Sequence, residues 1–486
     1  MKEIDPSTPM NFEGLAHKPE RITIGDEIDY YALFHALKAD NKSAYMFESL
    51  AIPRHQDRYY TIGFDPLLEF TARGNTLTVS GAPEAIRQTF GSDIDANAVV
   101  LRDINPYDYL SQVPLNHTGR SHEGGLVGYL SYETVNYFEP SLSLPEHEYF
   151  PTFHFGLYAD GLIYDSMTGS LDYYNYDKNR DRSEYVRRMV SKLDDVSIPQ
   201  SVESIKNLGN SLSKAEHARA VEYMLENIKA GNSFQGEVGF KTKYEIQGDK
   251  AAIYHKLRKV NPSPYMYYVK FGDEELLGAS PEILVSCTNG NILTTPTAGT
   301  TYRDEDPTKD RALARKLLRD PKEIAEHSMI VDLHRNDVAT VSVPGSVEVS
   351  DLMYIIGFSH VQHIVSDVVG KLEANKNSFD LLRAIMPGGV VTGAPKIETI
   401  KLIQVSERVP RGPYGGAVGR FSMSGDANFA LAIRSLFCHG SRAFTQTSSG
   451  VVFDSTPEGE YREVAAKLAG MARTISSCVP DNGENQ

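Results

Sequence analysis

Residues 276–337 run as LLGASPEILVSC (276–287), NILTTPTAGT (291–300) and DPTKDRALARKLLRDPKEIAEHSMIVDLHRND (306–337), and this stretch decides the fold class. The first two are short apolar runs bounded by Ser-Pro, Asn-Gly and Thr-Pro, which is how strands read. The third is long and charged, and it restarts at Asp320-Pro321, an N-cap followed by a proline in the first turn. Strands are followed by strands and then helices by helices. Downstream, helical segments near 308–319, 321–336, 378–386, 395–405 and 458–474 enclose strands such as FALAIRSLFC (429–438) and AFTQTSSGVVF (443–453). Upstream, Ser213 and Glu216 make a capping box before AVEYMLENIKAG (220–231). The first 200 residues read as short strands, among them SAYMFESLAI (43–52), RYYTIGF (58–64), GGLVGYLSY (124–132) and HFGLYADGLIYD (154–165). No regular strand–helix alternation is present, so the expected fold is α+β: largely antiparallel sheets in a sandwich covered by helices. The polar stretch 196–213 divides a strand-rich region, 1–200, from a second region, 205–478.

Two helical segments about 140 residues apart each carry Glu-x-x-Glu, Glu323 with Glu326 and Glu460 with Glu463. Residues three apart share one helical face. If the two faces meet, four carboxylates converge, and they repel one another unless protons or a hard cation such as Mg²⁺ neutralise them. Each pair also has an ordinary reading as solvated surface, and Glu323 a second one as the third residue of a capping box opened by Asp320.

Composition bounds the partners. The chain has 49 basic and 64 acidic side chains, a formal charge of −15, which argues against general nucleic-acid or anionic-membrane binding. Cys287, Cys438 and Cys478 are widely spaced, so neither a disulfide framework nor a structural zinc site is expected. No signal-peptide core and no membrane-spanning apolar run is found, and the reading is a cytoplasmic protein.

Other residues stand out by chemistry. Arg434 falls inside the apolar run FALAIRSLFC, where a charge needs an anionic partner from protein or ligand. IMPGGVVTGAPKIETIKLI (385–403) places glycines before a helix whose first turn contains Pro395, either an anion-holding helix start or a plain turn. Lys467 follows Glu463 by four residues and Tyr414 sits in RGPYGGAVG, each with an ordinary structural reading beside a ligand-binding one. His360 and His363 offer acid–base chemistry near neutral pH, and Glu282 suits a strand-end salt bridge or a proton donor.

Taken in order and spacing, NPSPYMYY (261), LLGASPEIL (276), TPTAGT (295), DPKEIAEHSMIVDLHRND (320), TGAPK (392), YGGAVG (414) and DSTPEGEYRE (454) resemble the chorismate-utilising enzymes, most closely the large synthase components of anthranilate synthases. Residues 205–475 carry most of the likeness, with FESLAIPRHQDRYYTIGFDP (47) and GGLVGYLSYE (124) as weaker N-terminal echoes. The resemblance implies Mg²⁺ on Glu326 and Glu463, with Glu323 and Glu460 supporting it through water. The ring carboxylate of chorismate would lie on the metal, on Lys467 and on backbone near Gly393 and Gly450, beside Ala298, Gly299 and Thr300. Tyr414 and Arg434 would hold the enolpyruvyl carboxylate, Glu282 would protonate the departing C4 hydroxyl, and His363 would assist loss of pyruvate. Ser49, Pro264, Tyr265 and Met266 would form a tryptophan feedback site, so that 1–200 reads as regulatory and 205–478 as catalytic.

Two positions speak to the nucleophile. Related aminodeoxychorismate synthases commonly have Lys where Ala298 stands, and isochorismate and salicylate synthases have a water-activating Lys where Gln235 stands. With neither present, the expected nucleophile is ammonia and the product anthranilate. No cysteine sits in a nucleophilic elbow, which implies a separate glutamine amidotransferase subunit. Rival readings are an aminodeoxychorismate synthase, an isochorismate-forming isomerase disfavoured by Gln235, and a tryptophan-binding regulator without catalysis. Val390, Ser448 and Arg420 depart from the family pattern, as does the segment SFQGEVGF (233–240).

Overall fold

The computed structural model describes residues 1–51, 58–358 and 361–479. Among these, the strands form two large sheets, of 13 and 12 strands. The pairings are antiparallel apart from Lys2–Glu3 against Val99 and Val100. The expected α+β sandwich is what is found.

Both sheets are shared by the two halves of the chain. In the first, Gly125–Leu130 pairs with Ala417–Phe421. In the second, Ser43–Glu48 pairs with Tyr265–Phe271. The stretch around 196–213 is itself partly strand, Ser204–Asn210, paired with Gln235–Gln247. The division near residue 200 is therefore one of chain order, and the sheets run straight across it.

Alternation along the strands builds the layers. In Gly125–Leu130, Val127 and Tyr129 pack with Tyr45, Tyr267 and Phe437 of the second sheet, while Leu126 and Leu130 face a separate core on the other side. That outer core is covered by helices Pro83–Phe90, Ser378–Ile385 and Pro321–Ala339. The outer face of the second sheet is covered by Tyr30–Asp40, Ala251–Val260 and the end of Pro457–Ser476. Burial on both faces explains why so many of these strands are apolar throughout rather than alternating.

The local signals hold in detail, with three differences. The capping box of Ser213 and Glu216 forms. Asp320 caps its helix through Lys322 N–H, but Glu323 does not close a box. Pro395 is the N-cap of Lys396–Glu407 rather than its first helical residue. FALAIRSLFC and LLGASPEILVSC, each read as one strand, are two. Ala427–Leu431 lies in the first sheet and Ser435–His439 in the second, and Ile283–Thr288 and Glu274–Ser280 divide the same way. The two crossings lie side by side, with Leu431 N–H on Glu282 O at 3.1 Å and Ala279 N–H on Arg434 O at 3.3 Å. Arg434 has φ +54°, a left-handed turn that ends one strand and redirects the chain to the other sheet.

Candidate active site

The crossings put chemistry at the gap between the sheets. Glu282 is buried, its N–H bonded to the Ser280 hydroxyl, and burial pushes its carboxyl well above the usual range, with the Thr297 N–H opposing. Burial thus favours its protonated form. Arg434, on the neighbouring crossing, has no carboxylate within ion-pair distance among the described residues; its electrostatic neighbours are Tyr414 and Glu463. The sequence placed this arginine inside a strand; it stands instead at the turn between two, half-buried.

Tyr414 is buried with its hydroxyl 2.9 Å from Ser448 Oγ. Lys467 donates to Ser448 O at 2.9 Å and pairs with Glu463 at 2.7 Å, so the surface pair and the inward contact are both made. His363 is buried opposite Thr300, with Nδ1 2.9 Å from Thr300 Oγ1 and 3.3 Å from Gly299 O. Burial lowers it to about 4, aided by Arg434 and Lys467. It is thus a neutral ring, a base rather than a reservoir of charge near pH 7. His360 lies outside the described residues, as do 52–57 of the N-terminal motif.

The glycines are explained by close approach. Gly299 has φ +83° at a register shift after Ala298, and a Cβ there would come within 2.9 Å of Glu323 Oε2. Gly393 has φ +124°, and a Cβ would be 2.0 Å from Gln235 O, because Gly393–Ala394 pairs with Gln235–Gly236. The glycine-rich turn before the helix thus docks on a strand, and Lys396 at the helix start pairs with Asp337 at 2.6 Å.

Glu323 and Glu326 face the same space as Glu460 and Glu463. Burial raises both Glu323 and Glu326, and Glu463 contributes to each, while Lys322 opposes and also feels Glu460. Among the described residues no three acidic, His or Cys side chains stand close enough to grip an ion as they are. The donor set nevertheless fits a hard cation: Glu326 Oε1 and Glu460 Oε2 are buried without a hydrogen-bond donor, and the nearest cations are Lys322, 3.5 Å from Glu326, and Lys467.

Residues 58–473 match the sequence model of the chorismate binding enzymes. The chain belongs to that family. It is 40% identical to anthranilate synthase component 1 of Leptospira biflexa, over 93% of this chain and 95% of that one. The same component of Methanothermobacter thermautotrophicus is 37% identical, over 92% of each. Among solved structures, anthranilate synthase component I from Streptococcus pneumoniae superposes with a TM-score of 0.73 at 29% identity, covering 93% of this chain and 99% of that one. The menaquinone-specific isochorismate synthase of Escherichia coli shares the fold, with a TM-score of 0.71 at 17% identity over 94% of each chain.

In this chorismate-binding enzyme two of the expected feedback residues, Tyr265 and Met266, lie on a strand of the second sheet, and Ser49 and Pro264 stand just beyond the ends of neighbouring strands. Met266 pairs with Glu48 and Tyr265 with Ser280, two residues from Glu282. Glu48 is held by Arg258 at 2.7 and 2.8 Å and by Tyr30 and Tyr254, each at 2.8 Å. Ser49 Oγ is buried and without a partner among the described residues. The departures separate as well. Arg420 reaches His122 O and Thr61 Oγ1 at 2.7 and 2.8 Å, away from Tyr414 and Arg434, and Val390 packs on the outer core. Ser448 is in the site, and with it comes Glu237, which sequence reasoning missed. Its signal was a carboxylate in the buried strand Gln235–Gln247, the same signal that singled out Arg434.

Proposed function

We propose that this chain is the synthase component of an anthranilate synthase, a lyase converting chorismate and ammonia to anthranilate and pyruvate. The observation that carries the reading is the placing of a buried Glu282, whose protonated form burial favours, beside an arginine without an ion-pair partner among the described residues on the adjacent crossing. An acid kept protonated by burial suits donation to a poor leaving group. A cation left without a partner suits a carboxylate of the substrate. Arg434 and Tyr414 hold the enolpyruvyl carboxylate, and Lys467 with the backbone at Gly393 and Gly450 receives the ring carboxylate. Glu282 gives its proton to the C4 hydroxyl as ammonia adds at C2. His363 then assists elimination of pyruvate, which aromatises the ring.

Glu326 and Glu463, supported by Glu323 and Glu460, would hold Mg²⁺. When bound, it neutralises the carboxylate cluster and draws the ring carboxylate of chorismate to it. Ammonia comes from glutamine through a separate amidotransferase subunit, and tryptophan inhibits by binding at Ser49, Pro264, Tyr265 and Met266. The reaction belongs to the first step of tryptophan biosynthesis in the cytoplasm. No described helix is long and apolar enough to cross a membrane.

Purified chain mixed with chorismate, Mg²⁺ and an ammonium salt is expected to give anthranilate and pyruvate, followed by fluorescence and mass. An aminated product that retains the enolpyruvyl group would move the assignment to an aminodeoxychorismate synthase. Tryptophan binding without any turnover would make the chain a regulator.

A further inference from the structure

The hydroxyl of Tyr414 can serve a substrate carboxylate only as a donor, and what lies behind it decides whether it has a proton to give. Glu237 and Ser448 stand on paired antiparallel strands, Gln235–Gln247 and Arg442–Val451. Ser448 is opposite Gly239, so it is the diagonal neighbour of Glu237 on the same face, and Gly239 puts no side chain between them. Ser448 Oγ lies 2.5 Å from Glu237 Oε2 and 2.9 Å from the Tyr414 hydroxyl. All three side chains are buried. Their oxygens form one line, carboxyl to hydroxyl to phenol, and it ends beside Arg434. Ser448 and the segment that holds Glu237 both depart from the family pattern, and here the two departures meet across 211 residues of sequence.

Counting protons gives the line a direction. Serine and phenol carry one hydroxyl hydrogen each, a carboxylic acid carries one, and a carboxylate none. With Glu237 ionised, Ser448 donates to the carboxylate and Tyr414 donates to Ser448, so the phenol turns only lone pairs toward the substrate. With Glu237 protonated, the acid donates to Ser448 and Ser448 donates to the phenol oxygen, which frees the Tyr414 O–H for a substrate carboxylate. We infer that Glu237 and Ser448 are positioning residues that set Tyr414 as donor or acceptor toward chorismate, the substrate being held in the state in which Glu237 carries its proton. This rests on the anthranilate synthase reading, in which Tyr414 takes the enolpyruvyl carboxylate. Burial raises the Glu237 carboxyl to about 7. Glu463 adds to the rise, while Lys467 on the same helix, the Ser448 hydroxyl and Arg411 oppose it. The line therefore reverses as pH rises through the neutral range.

The test is the pH profile of the KM for chorismate in the full chain, at fixed Mg²⁺ and constant free ammonia. One proton titrating near 7 predicts a rise of about tenfold between pH 6 and pH 8. Glu237→Gln, whose amide N–H donates to Ser448 without titrating, is expected to hold that KM within about twofold over the same range, near the value of the unsubstituted chain at pH 6. Ser448→Ala cuts the line and should flatten the profile as well. A merely structural pair would alter stability or kcat and leave the pH dependence of KM in place. A rise that survives in either variant, or a flat profile in the unsubstituted chain, would overturn the inference. Should Glu237→Gln fail to fold by circular dichroism, Ser448→Ala decides alone: a flat profile supports the line and a persistent rise overturns it. Anthranilate formed with a KM indifferent to pH sinks this inference only. No anthranilate from the unsubstituted chain sinks both it and the function it rests on.

Discussion

Two arginines about 20 residues apart in the chain, Arg411 buried and Arg434 half-buried, flank Tyr414 in sequence, and they are built in opposite ways. Arg411 is closed: Glu407 takes its Nε and Nη2 at 2.9 and 2.7 Å, Val391 O and Glu237 O take the other contacts at 2.6 and 2.9 Å, and its guanidinium lies over Tyr132. Glu407 is in turn filled by Gly239 N–H and Gln446. Arg434 is open: no carboxylate among the described residues lies within ion-pair distance, and Glu463 acts on it only from farther off. A polar cluster completed by the protein holds the fold; one left incomplete at a gap between sheets waits for a ligand.

Breaking the closed cluster is expected to have the largest effect, on stability. Glu407→Gln leaves Arg411 buried without its counter-charge and should cost about 3–5 kcal/mol in urea unfolding. Should that variant unfold at the wild-type midpoint, the Arg411 cluster is not what holds this region. Glu326→Gln acts on the open side. It should lower kcat/KM about a thousandfold in the presence of Mg²⁺, several kcal/mol of transition-state stabilisation, with the unfolding midpoint nearly unmoved. Full activity would refute the metal assignment.

Between the two clusters lies Glu237, and pH sharpens the contrast. Burial raises its carboxyl from 4.5 to about 7, against Lys467 and the Ser448 hydroxyl. A carboxyl raised on folding keeps a proton that the unfolded chain has lost. Stability is therefore greatest below pH 4.5 on this account and falls as pH rises to about 7, by on the order of 3 kcal/mol. Glu237→Gln should remove that slope; a slope unchanged in the variant would place the titration elsewhere.

Arg434→Gln should do the reverse of Glu407→Gln. Loss of one charged contact to substrate is worth about 1.5–3 kcal/mol, so KM for chorismate is expected to rise roughly 10–100-fold. Folding stability should hold within about 1 kcal/mol, because no protein carboxylate is left unpaired. A large loss of stability with KM intact would make Arg434 structural, like Arg411.

Much of this was legible in the sequence, and for local reasons. Asp320, Ser213 and Glu216 announce helix starts because capping is settled within four residues. The Glu-x-x-Glu pairs were legible because helical spacing alone puts them on one face. Arg434 and Glu237 carry one signal, a charge in an apolar strand, and only the first was acted on. What could not be read was partnership over distance. Alternation shows which side chains share a face but not that Gly125–Leu130 joins Ala417–Phe421 nearly 300 residues on. Nor does an apolar run such as FALAIRSLFC reveal that it changes sheets at Arg434. The crossings depend on where two sheets diverge, and that is a property of the assembled sandwich.

The smallest expected effect concerns a third polar pocket that is closed except at one atom. Glu48 is saturated by Arg258, Tyr30 and Tyr254, whereas Ser49 Oγ beside it has no partner among the described residues. On the proposed feedback reading, the unfilled hydroxyl would take the ligand and the filled carboxylate would be the wall. Ser49→Phe should fill that place and raise the tryptophan concentration for half-inhibition about tenfold, about 1.4 kcal/mol, leaving kcat unchanged. In the proposed feedback reading the route to the acid is short, since Tyr265 pairs with Ser280 and the Ser280 hydroxyl accepts the Glu282 N–H. A ligand that shifts Tyr265 therefore shifts the acid. Inhibition unchanged in Ser49→Phe would place the feedback site elsewhere, and inhibition relieved together with kcat would mean the strand, rather than the pocket, had been damaged.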